Sequence, residues 1–334
     1  MKSFTKRQLE LLTILGDGAC HNGNELGDAL QVSRTAIWKQ IKQLSEIGVP
    51  IETIALQGYR LPSSFKFLDD QVIANYLAQH NVFNYKLHVV ATVDSTNSYL
   101  RKLPASSLIA SSQVTDVCCA EAQTQGRGRF GRQWESPFGK NIYCSSRWTL
   151  HCDITWLSGL SLVVSLAIYS ALRELVNTDE IRIKWPNDIL WRDKKICGTL
   201  IEISAESHGT AEVIIGIGIN VNSSHKDIPW RSLAEIFDQQ FDRNELVSML
   251  LVKLDVYMQR FMEHGFSAFT SEWEGVDYLL GKEITLSHPT GPISGEALGV
   301  NEQGQLLIKD KLGKINYLSS GDTTLGSGGD NVPS

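Results

Sequence analysis

Gly126-Arg127-Gly128-Arg129-Phe130-Gly131-Arg132 sets three arginines among three glycines within seven residues. Guanidinium groups are almost never buried unpaired, so the run cannot be core. Glycine costs about 1 kcal/mol in a helix interior and also weakens a strand, which excludes regular structure of either kind. A mobile loop remains, and its backbone amides and guanidinium forks suit an anion, either phosphate or carboxylate. The run is not a P-loop, because G-x-x-x-x-G-K-[ST] is absent. Taken alone, it fits a solvated basic segment or an RNA-binding RG tract equally well.

The flanking sequence narrows this. Upstream, Val93-Asp94-Ser95-Thr96-Asn97 places three small polar side chains after an apolar run. Downstream, Ile181-Arg182-Ile183-Lys184 alternates as a strand, and Pro186-Asn187-Asp188 forces a turn. Residues 195–202 (KICGTLIE) and 216–222 (GIGINVN) read as strands whose glycines permit close approach by a ligand. Strand and helix patterns alternate over residues 66–275, as in a mixed α/β domain. Short strands punctuated by glycine follow over 276–325 (EITLS, ISGEALGV, QLLIKD, INYLS) and suggest a small barrel. Residues 326–334 are too polar to fold.

Residues 1–62 differ in pattern. Leu26 and Leu30 share one side of a short helix, and Ser33 suits an N-cap. From Arg34 to Glu46, Ile37, Ile41 and Leu44 form one stripe, while Arg34, Thr35, Trp38, Lys39 and Lys42 face away from it. Gly48 and Pro50 stop this helix, and residues 51–61 (IETIALQGYRL) resemble a β-wing with Gly58 at its bend. The layout is a winged helix-turn-helix, whose second helix enters the major groove with its N-terminal residues toward base edges. Ser33, Arg34, Thr35, Trp38, Lys39 and Arg60 are the candidate DNA contacts. Residues 1–60 hold seven basic and six acidic side chains, so charge does not separate DNA binding from a helical protein-interaction module. The basic face of the second helix favours DNA.

The 334 residues carry a formal net charge of −6, which excludes a nucleic-acid-coating protein and confines any DNA contact to a local patch. Charges scattered through the first fifteen residues leave no signal-peptide core. Residues 154–172 lack charge and would span about 28 Å as a helix. Ser158, Ser161 and Ser165 nevertheless recur on one side beside Gly159, as in a core helix pressed against a sheet. No membrane span is expected. The six cysteines show no C-x-x-C spacing, and Cys118 and Cys119 are adjacent, so reduced thiols in a cytoplasm are expected.

Five motifs occur in order: STN (95–97), Q-x-x-G-R-G-R-x-G-R-x-W (123–134), KWPND (184–188), K-x-x-G-x-L-x-E (195–202) and GIGINVN (216–222). Together they resemble the biotin protein ligase family, and with residues 1–62 its bifunctional members, which are both ligase and biotin-operon repressor. The resemblance implies an α+β multidomain chain. Its parts would be an N-terminal winged helix-turn-helix, a central ligase domain of the class II aminoacyl-tRNA synthetase-like, biotin/lipoate ligase type, and a C-terminal SH3-like β-barrel. It also implies that biotin and MgATP give biotinyl-5′-AMP, from which a lysine of the biotin carboxyl carrier protein of acetyl-CoA carboxylase takes the biotinyl group.

By the same resemblance, Ser95, Thr96, Asn97, Gln123 and Gly198 hold biotin, chiefly at its ureido ring and carboxylate, and Arg127, Gly128 and Arg129 cover it. Lys184 points its ammonium at the carboxylate and α-phosphate, and is catalytic together with Arg127 and Arg129. Asn187, Gly218, Asn220 and Trp230 join Arg129 around the adenylate, with Trp230 either stacking on adenine or serving as core. Arg132 and Trp134 are supports, and residues 223–229 order with nucleotide. Some relatives end their last strand with a basic residue; here Gly326 follows Leu325, so no nucleotide contact is expected from the C-terminal domain. Operator DNA and a ligand-promoted homodimer are the further partners expected. The competing assignments are a lipoate-type ligase, a ligand-sensing regulator without catalysis, and a monofunctional ligase whose N-terminal domain does not bind DNA.

Overall fold

The computed structural model describes residues 4–62, 64–104, 114–206, 209–224, 230–287 and 291–325. Helices α1 (Lys6–Leu15), α2 (Gly23–Leu30) and α3 (Arg34–Glu46) precede a wing of strands β1 (Glu52–Ile54) and β2 (Gly58–Arg60). Ser33 caps α3 by accepting from the Ala36 amide at 3.2 Å. The stripe of Ile37, Ile41 and Leu44 is buried against Leu11, Leu15 and Leu26. Gly58 is not at the bend of the wing; it opens β2 and lies so close to the segment leading into α2 that a Cβ would stand 2.0 Å from the His21 carbonyl oxygen. The turn falls at residues 55–57, with Leu56 fully exposed at φ 64°.

The central region comprises α4 (Asp70–Gln79), β3 (Tyr85–Val93), α5 (Thr96–Lys102), β4 (Thr115–Gln123), β5 (Ile142–Leu150), α6 (Leu160–Val176), β6 (Ile181–Lys184), β7 (Asp188–Trp191), β8 (Lys194–Glu206), β9 (Thr210–Ile219), α7 (Leu233–Phe237), α8 (Arg243–His264) and α9 (Thr270–Glu274). Its seven strands form one sheet in the order β3-β4-β5-β9-β8-β7-β6, parallel between β3 and β4 and antiparallel elsewhere. Alternation along β4 sends Val117 and Cys119 into the core beneath α4, α6 and α8, while Cys118 packs with Leu100 of α5 on the opposite face. All six cysteines are free thiols.

The uncharged stretch 154–172 is not one helix. A single 3₁₀ turn (Ile154–Leu157) ends at Ser158, Gly159 adopts φ 79°, and α6 starts at Leu160. The break lets the Ser158 hydroxyl donate to the Gln303 carbonyl at 2.6 Å, tying this corner to the C-terminal strands. By length and composition the segment could cross a membrane, yet more than half of it is buried within the fold. Strands β10 (Glu283–Ser287), β11 (Ile293–Val300), β12 (Leu306–Lys309), β13 (Ile315–Leu318) and β14 (Asp322–Leu325) follow in an antiparallel sheet ordered β13-β12-β11-β10-β14. Among the described residues no pairing joins β13 to β14, so the expected barrel is here an open sheet. Residues 326–334 lie outside the described residues.

The N-terminal and central regions share an apolar cluster. Phe138 packs edge-on against Phe4, with ring centroids 5.0 Å apart, and Ala122 of β4 joins the same cluster. A buried ion pair secures the joint: Arg243 Nη1 meets Glu121 Oε2 at 2.6 Å, with each side chain 3% exposed. Arg243 Nη2 also donates to the Lys66 carbonyl at 2.6 Å, and Glu121 Oε1 accepts from the Leu68 amide at 2.6 Å. Removing one partner of such a pair strands a buried charge. We expect Arg243→Ala to lower unfolding free energy by about 3–5 kcal/mol in urea denaturation, and Glu121→Leu in the same chain to recover much of it. An unchanged midpoint in the single variant would contradict this account of the joint.

Candidate active site and recognition helix

A cleft opens at the carboxyl ends of β3 and β4, which lie together because these strands are parallel neighbours, with Val93 paired to Gln123. Its floor is the first turn of α5. Ser95, Thr96 and Asn97 are all at least 95% buried, which is unusual for small polar residues at a helix start. The Thr96 amide donates to Gln123 Oε1 at 2.9 Å, and Gln123 Nε2 donates to Ser136 Oγ at 3.1 Å. Ser145 of β5, fully buried, lies 2.6 Å from both Thr96 Oγ1 and Asn97 Oδ1.

The wall is made by β8 and β9, where Gly198 pairs with Gly218 and Leu200 with Gly216. The space left by two of these glycines is occupied by the protein itself. A Cβ on Gly216 would stand 2.4 Å from Asn97 Oδ1, and one on Gly218 would stand 2.5 Å from the Trp134 ring. Without these glycines, neither side chain could lie across the strands.

The arginine-glycine run is a short hairpin over the cleft, not a free loop. Gly128 N donates to the Arg132 carbonyl at 2.7 Å and Trp134 N to the Gly126 carbonyl at 3.0 Å. Its tip is exposed Phe130, at φ 55°, with the Arg129 and Arg132 guanidinium groups over its ring. Each arginine has an acceptor. Arg127 Nη2 donates to Ser98 Oγ at 3.2 Å and pairs with Glu202 at 3.4 Å. Arg129 donates to Asn187 Oδ1 at 3.0 Å and to the Gly321 carbonyl at 3.3 Å, and burial lowers its pKa from the ordinary value. Arg132 pairs with Asp322 of β14. Asp322 itself lines the cleft, so the C-terminal sheet reaches the site, although no nucleotide contact is assigned to it from the sequence.

Of the residues singled out from sequence, Ser95, Thr96, Asn97, Gln123, Arg127, Gly128, Arg129, Asn187, Gly198, Gly218 and Trp230 line this one cleft. Asn220 instead borders a smaller adjoining cavity shared with Trp134 and Trp230. Trp230 is part-exposed at the rim and is not core; residues 225–229 beside it lie outside the described residues.

Lys184 ends β6, the outermost strand, and is 3% exposed; it interacts electrostatically with Asp188, Lys195, Asp322 and Arg132, all of which line the cleft, and burial lowers its pKa. A second lysine, not singled out from sequence, lines the cleft: Lys195 of β8, whose Nζ meets Asp188 Oδ1 at 2.7 Å and lies 5.8 Å from the Trp134 ring centre. Its signal was its place three residues before Gly198 on a strand already assigned to the pocket. Ser145 and Asp322 carried no local signal.

On α3, Ser33, Arg34, Thr35, Trp38 and Lys39 are exposed together, Trp38 at 51%. Arg60 is exposed but pairs with Glu52 across the wing at 2.8 Å, so a phosphate would have to compete for it.

The biotin/lipoate A/B protein ligase family matches residues 89–220, a helix-turn-helix domain family matches 7–60, and the biotin protein ligase C-terminal domain family matches 279–326. A bifunctional ligase/repressor BirA of Salmonella typhimurium is 36% identical over 96% of this chain and 97% of its own length. The protein of the same name from Bacillus subtilis is 30% identical over 98% of this chain and 100% of its own. Among solved structures, the biotin protein ligase from Aquifex aeolicus in complex with biotin and ATP superposes with a TM-score of 0.61 at 32% identity, over 72% of this chain and 98% of that one. A cleft lined by the five motifs, joined to a helix-turn-helix domain and matched along nearly its whole length by such relatives, places this chain in the family of bifunctional biotin protein ligases and repressors.

Proposed function

We propose that this chain joins biotin to ATP, giving biotinyl-5′-AMP and pyrophosphate, and then passes the biotinyl group to a lysine of the biotin carboxyl carrier protein of acetyl-CoA carboxylase. Its N-terminal domain represses biotin-synthesis genes by binding their operator. The observation carrying the catalytic part is the meeting, in one cleft, of a buried polar floor with Lys195, Arg127, Arg129 and Arg132. The biotin carboxylate must approach the α-phosphate, and two anions repel unless fixed cations stand where charge gathers in the transition state. Thr96, Asn97 and Gln123 hold the ureido end. Lys195, steadied by Asp188, faces the carboxylate and α-phosphate oxygens, and Arg127 and Arg129 close over the ligand. Trp230 and Asn187 border the nucleotide side.

Magnesium is proposed to arrive on the triphosphate. Among the described residues no three carboxylate, histidine or cysteine groups gather to hold it alone, and this ion is commonly bound through phosphate oxygens and water with one or two carboxylates. The setting is proposed to be cytoplasmic.

ATP–pyrophosphate exchange dependent on biotin, followed by biotinylation of a carrier domain, tests the reaction; no exchange would refute it. Lys195→Ala is expected to lower the exchange rate by roughly 10²–10³-fold, the scale for losing one fixed charge-stabilising donor. A larger loss in Lys184→Ala than in Lys195→Ala would make Lys184 the principal cation and overturn the leading role given to Lys195.

For the DNA-facing helix, Arg34→Ala is expected to weaken binding to a duplex from the chain's own biotin-gene promoter and to reduce the salt slope by about one. An unchanged affinity and slope would remove Arg34 from the contact. We further propose that the adenylate draws Arg129 and Arg132 from Gly321 and Asp322, and that the rearranged hairpin favours a homodimer reading two half-sites. Sedimentation should then show a tighter dimer with biotinyl-5′-AMP than without it; equal dimer constants would reject the coupling.

A further inference from the structure

Glu202 ends the K-x-x-G-x-L-x-E run and has no part in the chemistry above. It gathers three donors: Asn97 Nδ2 at 2.8 Å, Arg101 Nη2 at 2.8 Å and Arg127 Nη2 at 3.4 Å. An ionised carboxylate only accepts hydrogen bonds, so the amide nitrogen of Asn97 must face it. The same nitrogen donates to the Leu200 carbonyl at 3.3 Å, which agrees with that orientation. The amide oxygen of Asn97 is therefore turned to Ser145 Oγ, 2.6 Å away, and takes the single proton of that hydroxyl.

A direction then propagates. Ser145 Oγ also lies 2.6 Å from Thr96 Oγ1, and with its own proton committed to Asn97 this contact needs the proton of Thr96. The other neighbour of the Thr96 hydroxyl, Gln123 Oε1 at 3.2 Å, is an acceptor too, since it receives the Thr96 amide. Ser145 is fully buried and Asn97 and Thr96 are 3% and 4% exposed, so the relay is closed within the protein except on the side of Thr96 that faces the cleft. Gly216 keeps Asn97 in register, because any side chain there would displace its amide.

We propose that Glu202 is a positioning residue that sets the polarity of this relay, so that Thr96 offers the ligand only lone pairs. This inference rests on the biotin reading of the cleft and deepens it: the floor selects an acid whose ring carries an N–H donor. An acid with a dithiolane or plain alkyl end would leave a buried acceptor unmatched, a mismatch that a polar site rejects strongly.

The test is calorimetric binding to the full-length chain of biotin and of two analogues, each methylated at one ureido nitrogen. We expect Glu202→Gln and Ser145→Ala each to weaken biotin roughly tenfold, about the value of one neutral hydrogen bond. Arg101→Ala, which removes an ion pair from Glu202 without touching Asn97, should change it less than twofold. With one of the two analogues, already weak in the wild type, Glu202→Gln and Ser145→Ala should cost nothing further. Equal fold-losses with biotin and both analogues would overturn the relay and leave Glu202 a structural residue. Should Glu202→Gln fail to fold, Ser145→Ala carries the same comparison. A wild-type chain that binds no biotin would defeat the reading of the cleft itself, whereas one that binds biotin but shows equal losses defeats only the relay.

Discussion

Two neighbouring strands, β8 and β9, carry glycine where the sheet would otherwise present side chains, and the cleft exists because of that omission. Gly216 and Gly218 let Asn97 and Trp134 lie flat across the strands, and Gly198 completes the bare surface opposite Gly218. The polar floor, the lysine and the arginine hairpin are arranged around this gap. A Cβ at Gly216 would push Asn97 away from Glu202 and Ser145, and one at Gly218 would push Trp134 away from Lys195, so each glycine of β9 guards one half of the site.

The cations around the gap are not idle charges awaiting a ligand. Lys195 is held by Asp188, Arg127 by Glu202 and Arg132 by Asp322, while Arg129 leans on Asn187 and a carbonyl of the C-terminal sheet. A guanidinium carries five N–H donors and an ammonium three, so an incoming anion can either share these cations with the protein's own acceptors or displace them. Two of these acceptors, the Gly321 carbonyl just before β14 and Asp322 at its start, tie the cations of the cleft directly to the C-terminal sheet.

A comparable economy joins the DNA-facing region to the catalytic one. Glu121, bound to Arg243 and to the amide of Leu68, stands two residues before Gln123 on β4. One strand thus carries at one end both the anchor of the N-terminal linker and the partner of the ligand floor. Phe138, just beyond the arginine hairpin, packs into the N-terminal cluster with Phe4 and Phe65.

Local pattern was sufficient for whatever depends on neighbours in sequence. The stripe of α3 and its Ser33 cap, the exclusion of the arginine-glycine run from core, and the polar turn of residues 95–97 all follow from spacing and side-chain chemistry, and motif order supplied the family. The nearness of Lys195 to Lys184 did not follow, because the two lie on different strands of the same small unit; only the order β9-β8-β7-β6 brings Lys195 to the cleft with Asp188 between the two cations. Gly58 and Gly159 were legible as special but not in what way, since a close approach to His21 and a break before α6 are made with segments outside their own neighbourhood. Ser145, Glu202 and Asp322 enter the site from strands far apart in the chain. Sequence determined which groups have the chemistry to bind and activate an acid; tertiary structure decided which of them meet, because hydrogen bonds and ion pairs act over about 3 Å and only the paired sheet brings such distant residues that close.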